Sequence, residues 1–312
     1  MPVKIIKMTI KDEKKANCHI HITGSLNPQD LRKIASKSGI NINNFEPLES
    51  KMTFYNPDIW VVAKEVTSTK VGLEEAIRII LERESKDKVT YLELTINPAG
   101  MIRRGLRVSE LISVLRVSSE YACGLGMVFK VKLGVNRKDG KESIQEIKKI
   151  FDQCPKSIVV AIDLNGDERY FPTGEFENGF LALRDEGIPT TVHAGELLGL
   201  EKSLLSAVRM KPTRIAHSLV AKNDNNILER IKKEGIVLEV SPLSGMYTKA
   251  IPNIKEYPFR KFLDYEIPLV FGSDDPAIFN KNLSDHLLAL QDCGLKIEGI
   301  VKLIRKSFDY LL

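Results

Sequence analysis

Ala16-Asn17-Cys18-His19-Ile20-His21-Ile22, closed off by Thr23-Gly24-Ser25, is a short run with strand character that ends in polar residues and glycine. Seven further runs follow the same pattern: Val89 to Ile96, Met127 to Leu133, Ser157 to Leu164, Ile188 to His193, Thr213 to His217, Gly235 to Ser241 and Ile267 to Ser273. Amphipathic stretches separate them. Leu111, Val114, Leu115 and Val117 form one helical stripe, and Ile144, Ile147, Ile150 and Phe151 another. Ile227, Leu228 and Ile231 repeat the spacing before a stop at Gly235. Apolar strands alternating with helices predict a parallel sheet buried on both faces. Eight such units predict an α/β chain folded as a single (β/α)₈ TIM barrel. With no linker, internal repeat or low-complexity tract, one domain is expected over residues 1–312.

A chain of 312 residues suits one large barrel or two modest domains, and buries roughly 75% of its unfolded surface. Its 43% hydrophobic and 28% charged residues are those of a globular protein. The net charge of +5 is mild, and pairs such as Lys148-Lys149 and Lys232-Lys233 are not interleaved with aromatics. These lysines read as solvated helix faces, so no nucleic-acid partner is expected. No apolar run approaches the roughly 18 residues of a membrane span, so no membrane partner is expected either. No signal-peptide pattern opens the chain, and Cys18, Cys123, Cys154 and Cys293 form no CxxC. Reduced thiols and a cytoplasmic location are the expectation. The oligomeric state is not specified.

Alternate strand residues share a face, so His19 and His21 point the same way. His193 ends the fifth predicted strand and Asp274 follows the eighth, at the rim where barrels build their sites. Imidazoles plus one carboxylate, with a position left for water, match a catalytic zinc site, one ion per subunit. Glu196, three residues past His193, can exchange protons with a bound substrate or serve as a helix N-terminal charge. His217, closing the sixth strand, is a further site candidate, although a lone histidine there is as readily a packed one. Asp275 can face a substrate nitrogen or cap the helix that Pro276 opens. Gly166, in Asp163-Leu164-Asn165-Gly166-Asp167-Glu168, lets backbone approach a ligand or simply makes a tight turn. His286, in a helical stretch, reads as structural. No Walker loop or GxGxxG follows a strand, and the His-x-Glu…Pro-Cys-x-x-Cys deaminase signature is absent.

Together, His-x-His-x-x-Gly-Ser-Leu, Asp-Leu-x-Gly-Asp-Glu, His-Ala-Gly-Glu, Arg-Ile-x-His, Ser-Pro-Leu-Ser and Ser-Asp-Asp-Pro resemble the adenosine deaminase family of the amidohydrolase superfamily, in that family's order, from about Asn17 to Asp292. The resemblance implies a zinc barrel that replaces a purine 6-amino group with oxygen and releases ammonia. It implies zinc ligation by His19, His21, His193 and Asp274, with Asp274 also taking the water's proton. His217 would orient the hydroxide, Glu196 would donate a proton to ring N1, Gly166 would offer N–H to N3, and Asp275 would contact N7.

Three positions depart from the pattern. Thr23 stands where the family usually has an acid against the ribose 5′-hydroxyl, Ser218 where glycine is usual, and Gly245 where asparagine is usual. Adenosine or 2′-deoxyadenosine leads the expected substrates. Adenine, a 5′-modified adenosine, N6-methyl-AMP and aminodeoxyfutalosine are alternatives, as is a different metal hydrolysis on the same barrel. The aromatic-rich Gly39–Thr69 segment reads equally as a lid or pocket wall and as a helical hairpin on the barrel side.

Overall fold

The computed structural model describes residues 10–42 and 57–312. Eight parallel strands form one sheet in the order of the chain: β1 (Lys15–His21), β2 (Val89–Ile96), β3 (Val128–Asn136), β4 (Val159–Asn165), β5 (Thr190–Ala194), β6 (Arg214–His217), β7 (Val237–Val240) and β8 (Leu269–Phe271). Helices lie between them, as the alternating pattern predicted. The sheet closes through residues just beyond β8. Asp274 N–H donates to the His19 carbonyl at 2.8 Å, and His21 N–H donates to the Asp274 carbonyl at 3.0 Å. The fold is a (β/α)₈ barrel.

Two expectations shift. β3 runs on through Gly134-Val135-Asn136, past the glycine taken as its end. Glycine is required there by close approach, because a Cβ at Gly134 would fall 1.7 Å from Asn97 Oδ1 and 2.5 Å from Asn165 Nδ2. In the helix Val108–Gly124, Leu111, Val114 and Leu115 are buried, but Val117 is 44% exposed and the buried stripe continues through Ser118 and Ala122.

The helix Pro57–Val66 packs Ile59, Val62, Ala63 and Val66 into the core. It also turns Trp60 and Lys64 into the cavity above the barrel, so this part of the excursion is both packed and a pocket wall. Phe45, Pro47, Phe54 and Tyr55 lie outside the described residues. All four cysteines are free, with Cys18 and Cys154 buried. No helix among the described residues is long and apolar enough to cross a membrane.

The barrel interior below the rim is charged. Lys132 Nζ lies 2.8 Å from Glu239 Oε1, Arg214 binds Glu93 at 2.7 and 3.1 Å, and all four side chains are fully buried. Such pairs are tolerated in a core only with well-formed hydrogen bonds. Here they supply the foundation on which the rim residues stand.

Candidate active site

His19 and His21 reach the same space from β1, as strand alternation requires. Ligand atoms of His19, His21 and His193 all lie within 4.8 Å of one another, and so do those of His19, His217 and Asp274. His21 Nε2 stands 3.0 Å from His193 Nε2, and Asp274 Oδ1 is 3.3 Å from His19 Nε2 and 3.4 Å from His21 Nε2. Two ligands each about 2.1 Å from one ion at a tetrahedral angle sit roughly 3.4 Å apart, so these spacings suit a shared cation. His19 Nε2 is buried with no hydrogen-bond partner. The residues fit a metal.

Three of the four candidate ligands are held from behind. His19 Nδ1 meets Glu239 Oε2 at 2.6 Å, which fixes the tautomer that leaves Nε2 bare toward the site. His193 Nδ1 lies 3.1 Å from the Leu164 carbonyl and 3.3 Å from Asp163 Oδ1. Ser244 Oγ donates to Asp274 Oδ2 at 2.5 Å. Burial, reinforced by the neighbouring imidazoles, lowers the His21 pKa to about 3, so it is a neutral ligand. Burial works against a charge on His19, yet Asp274 and Glu239 raise it to about 10. The centre therefore demands positive charge, which a divalent cation supplies.

Three of the eight non-glycine residues with positive φ among the described residues stand at this rim. Asp274, His217 and Ser218 have φ of 60°, 67° and 55°, left-handed values that cost non-glycine residues about 1–3 kcal/mol each. Ser218 N–H donates to Ala194 O at 3.1 Å and ties the β6 turn to β5. Ser218 thus sits where glycine would be easier, and its hydroxyl is buried without a partner. Gly245 lies close under Leu219 and Ile251.

Glu196, His217, Gly166, Thr23, Asp274 and Asp275 all line one cavity of about 270 Å³ with His21 and His193. Burial, then the charges of Asp274 and Glu168, push the Glu196 pKa up to about 8. His217 Nε2 stands 4.0 Å from Glu196 Oε2. Asp275 is raised well above the carboxylate range by burial and by Asp274, and its Oδ1 is buried and unpartnered. Glycine at position 24 makes room for it, since a Cβ there would meet Asp275 Oδ1 at 1.7 Å. His286 stays apart, buried, with Leu243 N–H 3.3 Å from its Nδ1.

Asp163, Glu168 and Ser244 fall within motifs read in the sequence but were given no role there, and Glu239 and Arg137 were not singled out. Glu168 accepts from the backbone N–H of Gly195 (2.9 Å) and Glu196 (2.8 Å) and from Ser203 Oγ (2.5 Å), clamping the turn that carries Glu196. The buried Arg137 holds the His193 carbonyl at 2.6 Å. Glu239, Asp163 and Ser244 complete the shell.

A parallel eight-stranded barrel whose rim gathers four imidazoles and a carboxylate offers the donor set of a metal centre. Residues 14–309 match the adenosine deaminase family, and the chain belongs to that family. An adenosine deaminase of Clostridium botulinum is 30% identical over 97% of this chain and 95% of its own. An adenine deaminase of Rhodopseudomonas palustris is 26% identical over 96% and 90%. In fold, the chain is similar to an Arabidopsis N6-mAMP deaminase, with a TM-score of 0.85 at 22% identity over 97% and 95% of the two chains. The protein is an adenosine-deaminase-like hydrolase that acts on a cyclic-amidine C–N bond of adenine-type purines.

Proposed function

We propose that the chain is a zinc-dependent aminohydrolase, one ion per subunit, converting the 6-amino group of a purine nucleoside to a 6-oxo group with release of ammonia. Adenosine and 2′-deoxyadenosine are the nucleosides on which this reading is built, with the 5′ group left open at this point. The observation that carries this reading is geometric: the ligand atoms of His19, His21, His193 and Asp274 gather beside one cavity that the carboxyls of Glu196 and Asp275 also line, with Asp275 Oδ1 buried and unpartnered. Purine N1, N3 and N7 all accept hydrogen bonds, so a purine pocket needs donors. Burial pushes both carboxyls up, which favours the protonated forms that would donate to N1 from Glu196 and to N7 from Asp275. The Gly166 N–H would serve N3.

His19, His21, His193 and Asp274 would hold the ion, which when bound makes a water acidic enough to ionise near neutral pH. Proton transfer from Glu196 to N1 draws electrons from C6. Water oxygen then adds at C6 while Asp274 takes its proton, with His217 orienting the oxygen. That proton passes to the 6-amino nitrogen, which leaves as ammonia; the C6 hydroxyl gives up its own proton as the 6-oxo group forms, which restores the proton of Glu196, and N1 keeps the proton it received in the 6-oxopurine. A two-metal amide or phosphoester hydrolase would call for a bridging lysine at the rim. Lys132 Nζ is instead engaged by both oxygens of Glu239 and by the Cys18 carbonyl, inside the barrel.

Glu196→Gln tests the reading. An amide cannot protonate N1, so kcat is expected to fall roughly 10²–10⁴-fold at unchanged metal content. Turnover near the parent value by ammonia release would remove Glu196 from the reaction.

A further inference from the structure

The cavity continues past the histidine cluster into a second lobe of about 260 Å³ over the ends of β1, β2 and β3. His21, Thr23, Lys64, Asn97 and Asn136 line both lobes. Four cations, Lys64, Arg103, Arg104 and Lys138, surround the second lobe against one carboxylate, Asp139. Asp139 is taken by Arg103 at 2.7 Å, and Arg104 reaches Glu65 at 3.6 Å. Lys64 and Lys138 have no ion-pair partner among the described residues. Deeper in the wall, the Thr95 hydroxyl is buried and has no hydrogen-bond partner. Desolvation, with the like charges of Arg104 and Lys138 adding to it and Asp139 opposing, lowers the Lys64 pKa.

We propose that this lobe takes a phosphate monoester on the sugar, so that the substrate is a 6-aminopurine nucleoside 5′-monophosphate. The inference rests on the purine-deaminase reading, because that reading sets the direction in which the sugar leaves the ring. With C6 at the histidine cluster, N1 at Glu196 beyond β5, N7 at Asp275 beyond β8 and N3 at Gly166 beyond β4, N9 faces the remaining arc of the rim. That arc is the ends of β1, β2 and β3, where the cationic lobe opens. A phosphate monoester carries about −1.5 to −2 charge near pH 7, which two unpaired lysines balance. A bare 5′-hydroxyl would leave the lysines unpaired, and an apolar 5′ group would meet only Ile22 and Met101 among mainly polar side chains. Neutral Thr23, at the junction of the lobes, sets no carboxylate in the path of the anion.

Calorimetric binding of inosine and inosine 5′-monophosphate to the metal-loaded full-length protein tests this without depending on turnover. The expected result is at least tenfold tighter binding of the monophosphate. The gap should narrow as salt rises and collapse toward one in the Lys64→Gln/Lys138→Gln double variant. Equal affinity for the two ligands, or a gap unmoved by the double substitution, overturns the phosphate site and leaves the purine pocket standing. Failure of both ligands to bind would overturn the purine reading and the phosphate site with it.

Discussion

Glu196 gains its chemistry from where its backbone is held. Glu168 accepts the N–H groups of residues 195 and 196, so the carboxyl of Glu196 is fixed in a buried cavity and its pKa rises to about 8. The sign follows directly: the active form is protonated, it predominates below about pH 8, and it is lost as pH rises through that value. kcat/KM is therefore expected to decline on the alkaline side around pH 8 in a pH–rate profile. A profile flat from pH 7 to pH 10 would contradict proton donation by this group. Glu196, His19, His21, His193, His217 and Asp274 were legible in the sequence because histidine is scarce, at five in the chain, and these residues fall at strand ends. Glu239 was not, and Glu168 stood in the Asp-Leu-x-Gly-Asp-Glu motif without a role of its own. Glu239 sits inside an apolar strand 220 residues from the His19 it supports, and only folding joins them. A glutamate carries no local mark of a distant hydrogen bond.

Between elements, the most consequential joint is the seam between β1 and β8, because a metal-ligand candidate closes it. Asn17 staples this seam: its Nδ2 donates to Ser273 Oγ and to Glu84 Oε2, each at 2.8 Å, and its Oδ1 accepts from Ser273 N–H at 3.2 Å. Replacing it with leucine strands buried polar groups of Ser273 and Glu84. Asn17→Leu should cost roughly 1–3 kcal/mol for each group left unsatisfied, and it should weaken metal binding by loosening Asp274. A urea midpoint and a zinc titration both unchanged from the parent protein would contradict the seam's role. Strand order was legible because each run is apolar and bounded. The ends were less so: Gly134 reads as a terminator locally, and only the side chains of Asn97 and Asn165 crossing over it explain why β3 continues. Val117 likewise fits a helical period but lies on the solvent side of its helix.

Across the whole molecule, the barrel divides its labour by depth. Buried ion pairs of Lys132, Glu239, Arg214 and Glu93 fill the interior, the histidine cluster stands on them through His19, and the cavity opens above. Eight βα units in sequence were enough to anticipate the barrel, whereas its charged interior was hidden among strand residues expected to be apolar. The cationic lobe was hidden for a different reason: Lys64, Arg103, Arg104 and Lys138 come from separate segments, and composition shows only a mild net charge. The central claim is that one metal ion at the rim drives hydrolysis at purine C6. It is tested most directly by following ammonia release from adenosine 5′-monophosphate, its N6-methyl form (as methylamine), adenosine and adenine with zinc-loaded, chelator-stripped and zinc-restored protein. The account predicts conversion to the 6-oxopurine by the loaded protein, loss on stripping and recovery with zinc. Turnover that survives stripping, or a zinc-loaded protein inert toward every 6-aminopurine in the panel, would contradict it.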